Sequence, residues 1–203
     1  MVLLAQGDLA AARAWYSAPH PGITDTDLVL NLASYWDLMW VFDEAQKRLC
    51  LNLPLEAFAG NAAARALAFA QIHALGGDAA KVRDEAGTAE REFAKQLEEA
   101  PDDPQLHVLH GQALAYLGRR EEAIREGERC LALMPIGGDA YVGPYFRHQL
   151  VRIYMILGEK EKALDRLEEL MKVPYFVSPG WLRIDPSFDP LRGQPRFEML
   201  ARG

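Results

Sequence analysis

The stretch ALAYLGRREEAIREGERCLALMP, residues 113–135, decides the fold. It begins with the apolar end of one helix, turns at Gly118, and continues as a second helix that carries small residues such as Ala123 and Cys130 on one face. Glycine closes a helix readily because it adopts the left-handed backbone conformation without a Cβ penalty. Small facing residues let two antiparallel helices approach closely. The stretch therefore predicts a tightly packed helix pair.

The same order of features recurs along the chain. Three more stretches carry an apolar helix end, a glycine, polar residues and a second helix: 3–15, 70–86 and 153–174. Their turn glycines are Gly7, Gly77 and Gly158. A further helix pair within residues 27–54 lacks the turn glycine but has the same succession of two helical segments. Its first helix is expected over 27–40. The places that match Ala123 in the other second helices are Ala12, Ala45, Val82 and Ala163. Repetition at such a period predicts helix pairs that stack around one continuous core.

These pairs resemble tetratricopeptide repeats (TPRs), whose pattern is about 34 residues long and ends in a proline. In the copy that runs from Pro104 to Pro135, the pattern is matched by Gly111, Ala123 and Pro135. The resemblance implies an all-α, right-handed TPR-type solenoid of about five helix pairs over residues 1–174. Two elements are longer than in a 34-residue repeat: a second helix, which is extended over 84–99, and a loop over 136–144. The first copy has only a stub of its opening helix, which favours the hypothesis that the chain is a fragment of a longer protein.

The repeat pattern stops at Pro174, and a Pro-rich segment follows over residues 175–203. Its apolar side chains suit the covering of an exposed last helix pair. Ser178 and Pro179 form an N-cap signature for a short helix. The charged residues of the segment are interpreted as turn caps and their ion-pair partners rather than as a catalytic cluster: Arg183, Asp185, Asp189, Arg192 and Arg196. The sequence predicts a capping segment.

Composition excludes several classes of function. The formal net charge of −7 argues against nucleic acid and anionic membrane as direct partners. The chain has no apolar run long enough to cross a bilayer and no signal peptide at its start. Its two cysteines, Cys50 and Cys130, match no metal or redox spacing, so a cytoplasmic location is expected. No nucleophile–base constellation can be proposed, so we expect no enzymatic activity and no cofactor.

A narrower resemblance covers nearly the whole chain. The tail VPYFVSPGWLRIDPSFDPLRGQPRFEML, residues 173–200, and the stretches at 33–40 and 115–146 are similar to the C-terminal TPR region of large bacterial regulatory proteins. In that group the region follows a Hanks-type serine/threonine kinase, an adenylate cyclase or a winged-helix regulator. The resemblance implies a non-catalytic protein–protein interaction domain, a scaffold or peptide binder, in bacterial signalling or transcriptional regulation. Two alternatives stay open, a self-association module that forms a homodimer and a small-ligand-sensing domain.

The first helices of such repeats line a concave face, which predicts the candidate site. The residues expected to hold a peptide there are Gln71, Gln112, Tyr145, His148 and Arg152. Other positions expected on that face are Leu30, Ser34, Asp37, Leu67, Ala74, Val108 and Ala115. Trp40 is a candidate contact aromatic if it is exposed, although core packing is the alternative. A zinc site formed by His107, His110 and Cys130 is conceivable, but core packing explains these residues and no metal is expected.

Overall fold

The computed structural model describes residues 1–134 and 142–203, and these residues contain helices and no strand. The all-α prediction is confirmed. No helix in these two ranges is long and apolar enough to cross a membrane. The α-helices are α1 (Val2–Ala5), α2 (Leu9–Ser17), α3 (Asp25–Ala33), α4 (Glu44–Leu51), α5 (Ala62–Leu75), α6 (Ala79–Glu99), α7 (Pro104–Tyr116), α8 (Arg120–Leu133), α9 (Val142–Ile156), α10 (Lys160–Leu170), α11 (Pro179–Ile184) and α12 (Pro195–Arg202). Short 3-10 turns lie at Met39–Val41, Leu55–Phe58 and Pro186–Leu191.

Consecutive helices pack as pairs, and the pairs contact one another. The most extensive contacts join α5 to α6 and α7 to α8, and α9 likewise pairs with α10. The pairs meet where α7 packs on α6 and where α9 packs on both α7 and α8. Their buried side chains belong to one hydrophobic core. The predicted loop at 136–144 and Pro135 fall largely on residues 135–141, which lie outside the described ranges.

The predicted turn glycines end their helices as expected. Gly7, Gly77, Gly118 and Gly158 all have φ between 74° and 82°, in the left-handed region. After Gly118, the N–H of Arg119 donates to the carbonyl of Leu114 at 2.9 Å. The same bond, across five residues, follows each of the other three glycines. These bonds define Schellman caps, which satisfy the carbonyl groups that a helix end leaves without partners.

Close approach of α7, α8 and α9 depends on glycine. A Cβ atom added to Gly111 in α7 would lie 2.8 Å from Cδ1 of Ile153 and 3.1 Å from the carbonyl oxygen of Ala123. A Cβ atom added to Gly127 in α8 would lie 2.7 Å from Cδ1 of Leu150. Ala123 itself is fully buried. The small residues of the opening stretch therefore set the distance between three helices.

Two of the expected small-residue positions are wrong. Ala45 is exposed in the first turn of α4, where the buried small residue is Cys50 instead. Val82 is only partly buried, because contact along α6 begins one turn later, at Ala86 and Ala89. The equivalent residues of α2, α8 and α10 are buried as predicted. The second helices thus share a packed face but not a common register.

The first helix of the second pair is shorter than the predicted 27–40. It ends at Ala33, and a 3-10 turn follows at Met39–Val41. This break turns the indole ring of Trp40 into the core, where its Nε1 donates to the carbonyl oxygen of Asp37 at 2.8 Å. Trp36 and Phe42 are buried as well. Aromatic burial therefore outweighs the continuation of the helix.

The C-terminal segment covers more than the last helix pair. As predicted, Ser178 caps α11, and α12 packs against α10. The segment also reaches the beginning of the chain, because α11 contacts α1. A Cβ atom added to Gly180 would lie 2.3 Å from the carbonyl oxygen of Ala5, so only glycine fits this contact. The segment therefore connects the last helix pair with the first.

Candidate functional site

A cavity of about 570 Å³ opens on the face formed by the C-terminal halves of α5, α7 and α9. The turn at Met39–Val41 contributes to one wall, and the C-terminal segment contributes another. Its size is typical of pockets that hold small molecules. We call it the concave cavity. Its lining residues are Met39, Trp40, Gln71, Ala74, Leu75, Ala115, Tyr116, Gly118, Arg152, Met155, Ile156, Asp185, Pro186 and Ser187.

The walls of the concave cavity are mainly apolar. Trp40 presents an aromatic surface, and Met39 and Met155 contribute unbranched thioether side chains that adapt to irregular shapes. The polar side chains in the lining are few: Gln71, Tyr116, Arg152, Asp185 and Ser187. An apolar pocket with a small number of polar groups is the usual form of a small-molecule site, because the polar groups fix the orientation of the ligand.

Arg152 is the charged side chain of the cavity that forms no ion pair within the described residues. It is only 9% exposed, and its Nε and Nη1 atoms make no hydrogen bond within the described residues. None of the ion pairs found in the described ranges includes Arg152. An arginine side chain stays protonated in proteins, so it cannot escape burial by losing its charge. A buried and unpaired charge is costly, and buried charges are normally paired.

Asp185 is the acidic group in the lining, and it is fully engaged in its own segment. Its Oδ2 accepts a hydrogen bond from Nε1 of Trp181 at 3.0 Å. Its Oδ1 accepts from the backbone N–H of Ser187 at 2.8 Å and from the Ser187 hydroxyl at 2.6 Å. The carboxylate thus caps the turn at Pro186–Leu191, as the sequence predicted for it. It does not pair with Arg152.

Three glutamines connect the helices that carry the cavity. Nε2 of Gln71 donates to Oε1 of Gln112 at 3.0 Å, and Nε2 of Gln112 donates to Oε1 of Gln149 at 2.5 Å. Each glutamine comes from a different helix, α5, α7 and α9. Oε1 of Gln71 has no donor within the described residues, and Gln71 lines the cavity. Sequence reasoning missed Gln149, although the glutamines recur at intervals close to the repeat period.

Beside the glutamines lies a buried histidine–aspartate pair. Nδ1 of His148 and Oδ2 of Asp37 are 3.0 Å apart, and both residues are fully buried. The ring of Phe188 stacks on His148, and Trp181 meets it edge to face. Because these two aromatic residues belong to the C-terminal segment, His148 is inaccessible to any partner in this structure.

Tyr145 lies apart from the concave cavity. It lines a second cavity of about 180 Å³, whose walls include Trp36 and Phe176. Burial raises the pKa of the Tyr145 hydroxyl well above its usual range, and the charge of Asp37 raises it further. The phenol therefore stays protonated at neutral pH, as a hydrogen-bonding group without charge.

The structure thus divides the predicted peptide-binding residues. Gln71 and Arg152 line the concave cavity together with Ala74, Ala115 and Trp40, whereas Gln112 and His148 are fully buried. Trp40 packs in the core, as one of the two interpretations of the sequence predicted, and is not an exposed contact residue: its side chain is only 5% exposed and its indole N–H donates to Asp37. The C-terminal segment walls off part of this face, so the structure has an open-mouthed pocket there rather than a long groove.

The histidines considered for zinc serve another role. His107 uses both ring nitrogens, with Nδ1 2.6 Å from Oε2 of Glu126 and Nε2 2.9 Å from the carbonyl oxygen of Pro101. Nδ1 of His110 is 3.6 Å from the same carboxylate oxygen. His110 and His107 lower the pKa of Glu126 to about 2. In the part of the chain that the structure describes, no group of three or more potential ligands is placed to hold a metal ion.

Comparisons of this chain with protein-family models, with curated proteins and with solved structures found no match.

Proposed function

We propose that the chain is a TPR-type helical domain that binds a small ligand in the concave cavity, as a sensing part of a bacterial signalling or transcriptional regulatory protein. The binding event is non-catalytic. One observation carries the proposal: a cavity of about 570 Å³ with mainly apolar walls is lined by Arg152, whose Nε and Nη1 atoms are buried and make no hydrogen bond within the described residues. Cavities of this kind are the default candidates for ligand binding.

The TPR part of the proposal rests on the helix pairs themselves. Gly111 and Ala123, which match the small residues of the TPR pattern, lie between closely packed helices, and glycines end the first helices of several pairs. The regulatory setting rests on the resemblance of residues 173–200 to the C-terminal region of bacterial regulators. An extended peptide as the partner stays a prediction. It is less favoured than a small ligand, because Gln112 and His148 are buried and the C-terminal segment occupies part of the face.

The proposal can be tested with N-phenyl-1-naphthylamine, a neutral dye whose fluorescence rises in apolar surroundings. We expect one saturable site per chain. Ala74 lines the cavity and is exposed, so Ala74→Trp should fill the cavity without disturbing the core. This variant should weaken binding by about tenfold or more, which corresponds to ~1.4 kcal/mol.

Ala80→Trp is the matched control, since Ala80 is exposed on α6 and does not line the cavity. It should bind the dye as the wild type does. Equal binding by the wild type and both variants would place the dye elsewhere and contradict the proposal, as would the absence of saturable binding. Circular dichroism should show the same helix content in all three proteins.

A further inference from the structure

The charge inside the concave cavity points to the class of its ligand. We infer that the cavity binds an organic anion, with the acidic group held by Arg152 and an apolar body packed against Trp40 and the methionines. The inference rests on the proposed function, because it concerns the same cavity. It adds which chemical group the site selects.

The first step is the balance of charge around Arg152. Its guanidinium has two nitrogen atoms without partners, Nε and Nη1, and it is nine-tenths buried. Each of these nitrogen atoms can donate a charge-assisted hydrogen bond to an acidic group of a ligand, and such bonds are stronger than those between neutral groups. A neutral ligand in the cavity would leave the guanidinium charge unpaired, whereas an anionic ligand would neutralise it.

The second step concerns the negative groups that face the cavity. Asp185 already accepts hydrogen bonds from Trp181 and Ser187. Asp37 lies beneath the surface and is paired with His148. The C-terminal ends of α7 and α9 also contribute partial negative charge, but their capped carbonyls accept N–H groups from Arg119 and Glu159. Neither oxygen of Asp37 makes a hydrogen bond within the described residues, but this carboxylate does not line the cavity. Of the two charged side chains that do, Asp185 is hydrogen-bonded within its own segment, and Arg152 forms no ion pair with the described residues.

The third step concerns the rest of the ligand. Met39, Trp40 and Met155 form an apolar surface beside the arginine, which favours a ligand with an aromatic or aliphatic body. Oε1 of Gln71 is an acceptor without a donor, so an N–H or O–H group on the ligand would complete it. A small hydrophilic ion such as inorganic phosphate would leave the apolar surface unused. The site therefore fits an amphipathic acid.

Two dyes of the same shape separate the acidic group from the apolar body. 8-Anilinonaphthalene-1-sulfonate is N-phenyl-1-naphthylamine with an added sulfonate. We expect the wild type to bind the sulfonate more tightly than the neutral dye. Arg152→Met keeps most of the side-chain volume but removes the charge. This variant should bind the sulfonate about tenfold or more weakly, while its affinity for the neutral dye changes by less than about threefold.

Arg91→Met is the matched control, because Arg91 is exposed on α6 and its removal alters the net charge equally. It should leave the affinities for both dyes unchanged. If the neutral dye binds in the cavity and Arg152→Met retains the affinity for the sulfonate, the inference is overturned while the proposed function stands. If neither dye binds at the cavity, the proposed function itself fails.

A competition experiment needs no variant and keeps the inference falsifiable if Arg152→Met does not fold. 1-Naphthaleneacetate carries a carboxylate, and 1-naphthaleneacetamide is its neutral counterpart of nearly the same shape. The acetate should displace the sulfonate dye from the wild type at about a tenfold lower concentration than the amide. Equal displacement by the two compounds would show that the cavity does not select charge.

Discussion

Arg152 is the residue whose surroundings are hardest to explain by folding alone. Burial removes its guanidinium from water, and the described part of the protein supplies no carboxylate in exchange. Replacement of a buried charge by an apolar side chain is often neutral or stabilising. Retention of a costly group at a cavity is characteristic of functional sites, where stability is given up for activity. Ligand binding is the simplest reason for an arginine at this position.

Glu126 in α8 makes stability depend on pH within the α7–α8 pair. Its folded pKa of about 2 lies below the ordinary value of 4.5, because His110 and His107 lie beside the carboxylate. A depressed folded pKa means that the stabilisation is present above about pH 4.5 and is lost as the pH falls toward about 2. Glu126→Gln should therefore lose less unfolding free energy than the wild type over this interval. Urea unfolding at several pH values measures the difference.

Glu99→Gln provides the control for that experiment, because Glu99 is exposed at the end of α6. Its unfolding free energy should follow the wild-type pH dependence. Parallel curves for the wild type and Glu126→Gln would contradict the assigned role of the histidines.

The sequence indicates that both histidines replace core residues of the repeat pattern, but it does not indicate Glu126 as their partner. The partner lies nineteen residues away from His107 on the next helix, so only the packing of α7 on α8 brings the two together.

At the scale of the helices, two glycines within helices offer a matched test of close packing. Gly111 in α7 has the Ile153 side chain and the Ala123 carbonyl within 3.1 Å of an added Cβ, whereas Gly87 in α6 meets only the end of the Arg91 side chain at 3.5 Å. Gly111→Ala should lower the unfolding free energy by about 1–3 kcal/mol through overpacking. Gly87→Ala should raise it by roughly 0.5–1 kcal/mol, because alanine restricts the unfolded chain more than glycine does. Urea unfolding of both variants measures this, and stabilisation by both would refute the role assigned to Gly111.

The helix pairs could be predicted from sequence because their signals are local. Gly118 and the polar residues after it fix a turn whatever the rest of the chain does. The end of α3 at Ala33 could not be predicted in the same way. Residues 27–40 have a helical pattern, but burial of Trp36 and Trp40 against other elements breaks the helix. The prediction that Val82 packs like Ala123 was wrong for a related reason. Where the contact between two helices begins depends on the elements around them, which the local sequence does not specify.

At the scale of the whole molecule, the C-terminal segment adds a wall to a predicted open face and so forms a pocket there. Its apolar residues correctly indicated a cover for the last helix pair. Its second contact, with α1 and with the ring of Trp40 through Trp181, joins the two ends of the sequence. A contact over that separation has no signature in local spacing. Consequently Gln71, Trp40 and Arg152 could each be named as candidates from the sequence, but not their meeting with Asp185 around one cavity.

Hydrogen–deuterium exchange with and without N-phenyl-1-naphthylamine tests the central claim most directly, because it locates the ligand without any substitution. The account predicts slower exchange upon binding at the C-terminal ends of α5, α7 and α9 and at residues 185–187, the elements that enclose the concave cavity. Slower exchange confined to other parts of the chain, for example around the half-exposed Trp15 in α2, or unchanged exchange at saturating dye, would contradict it.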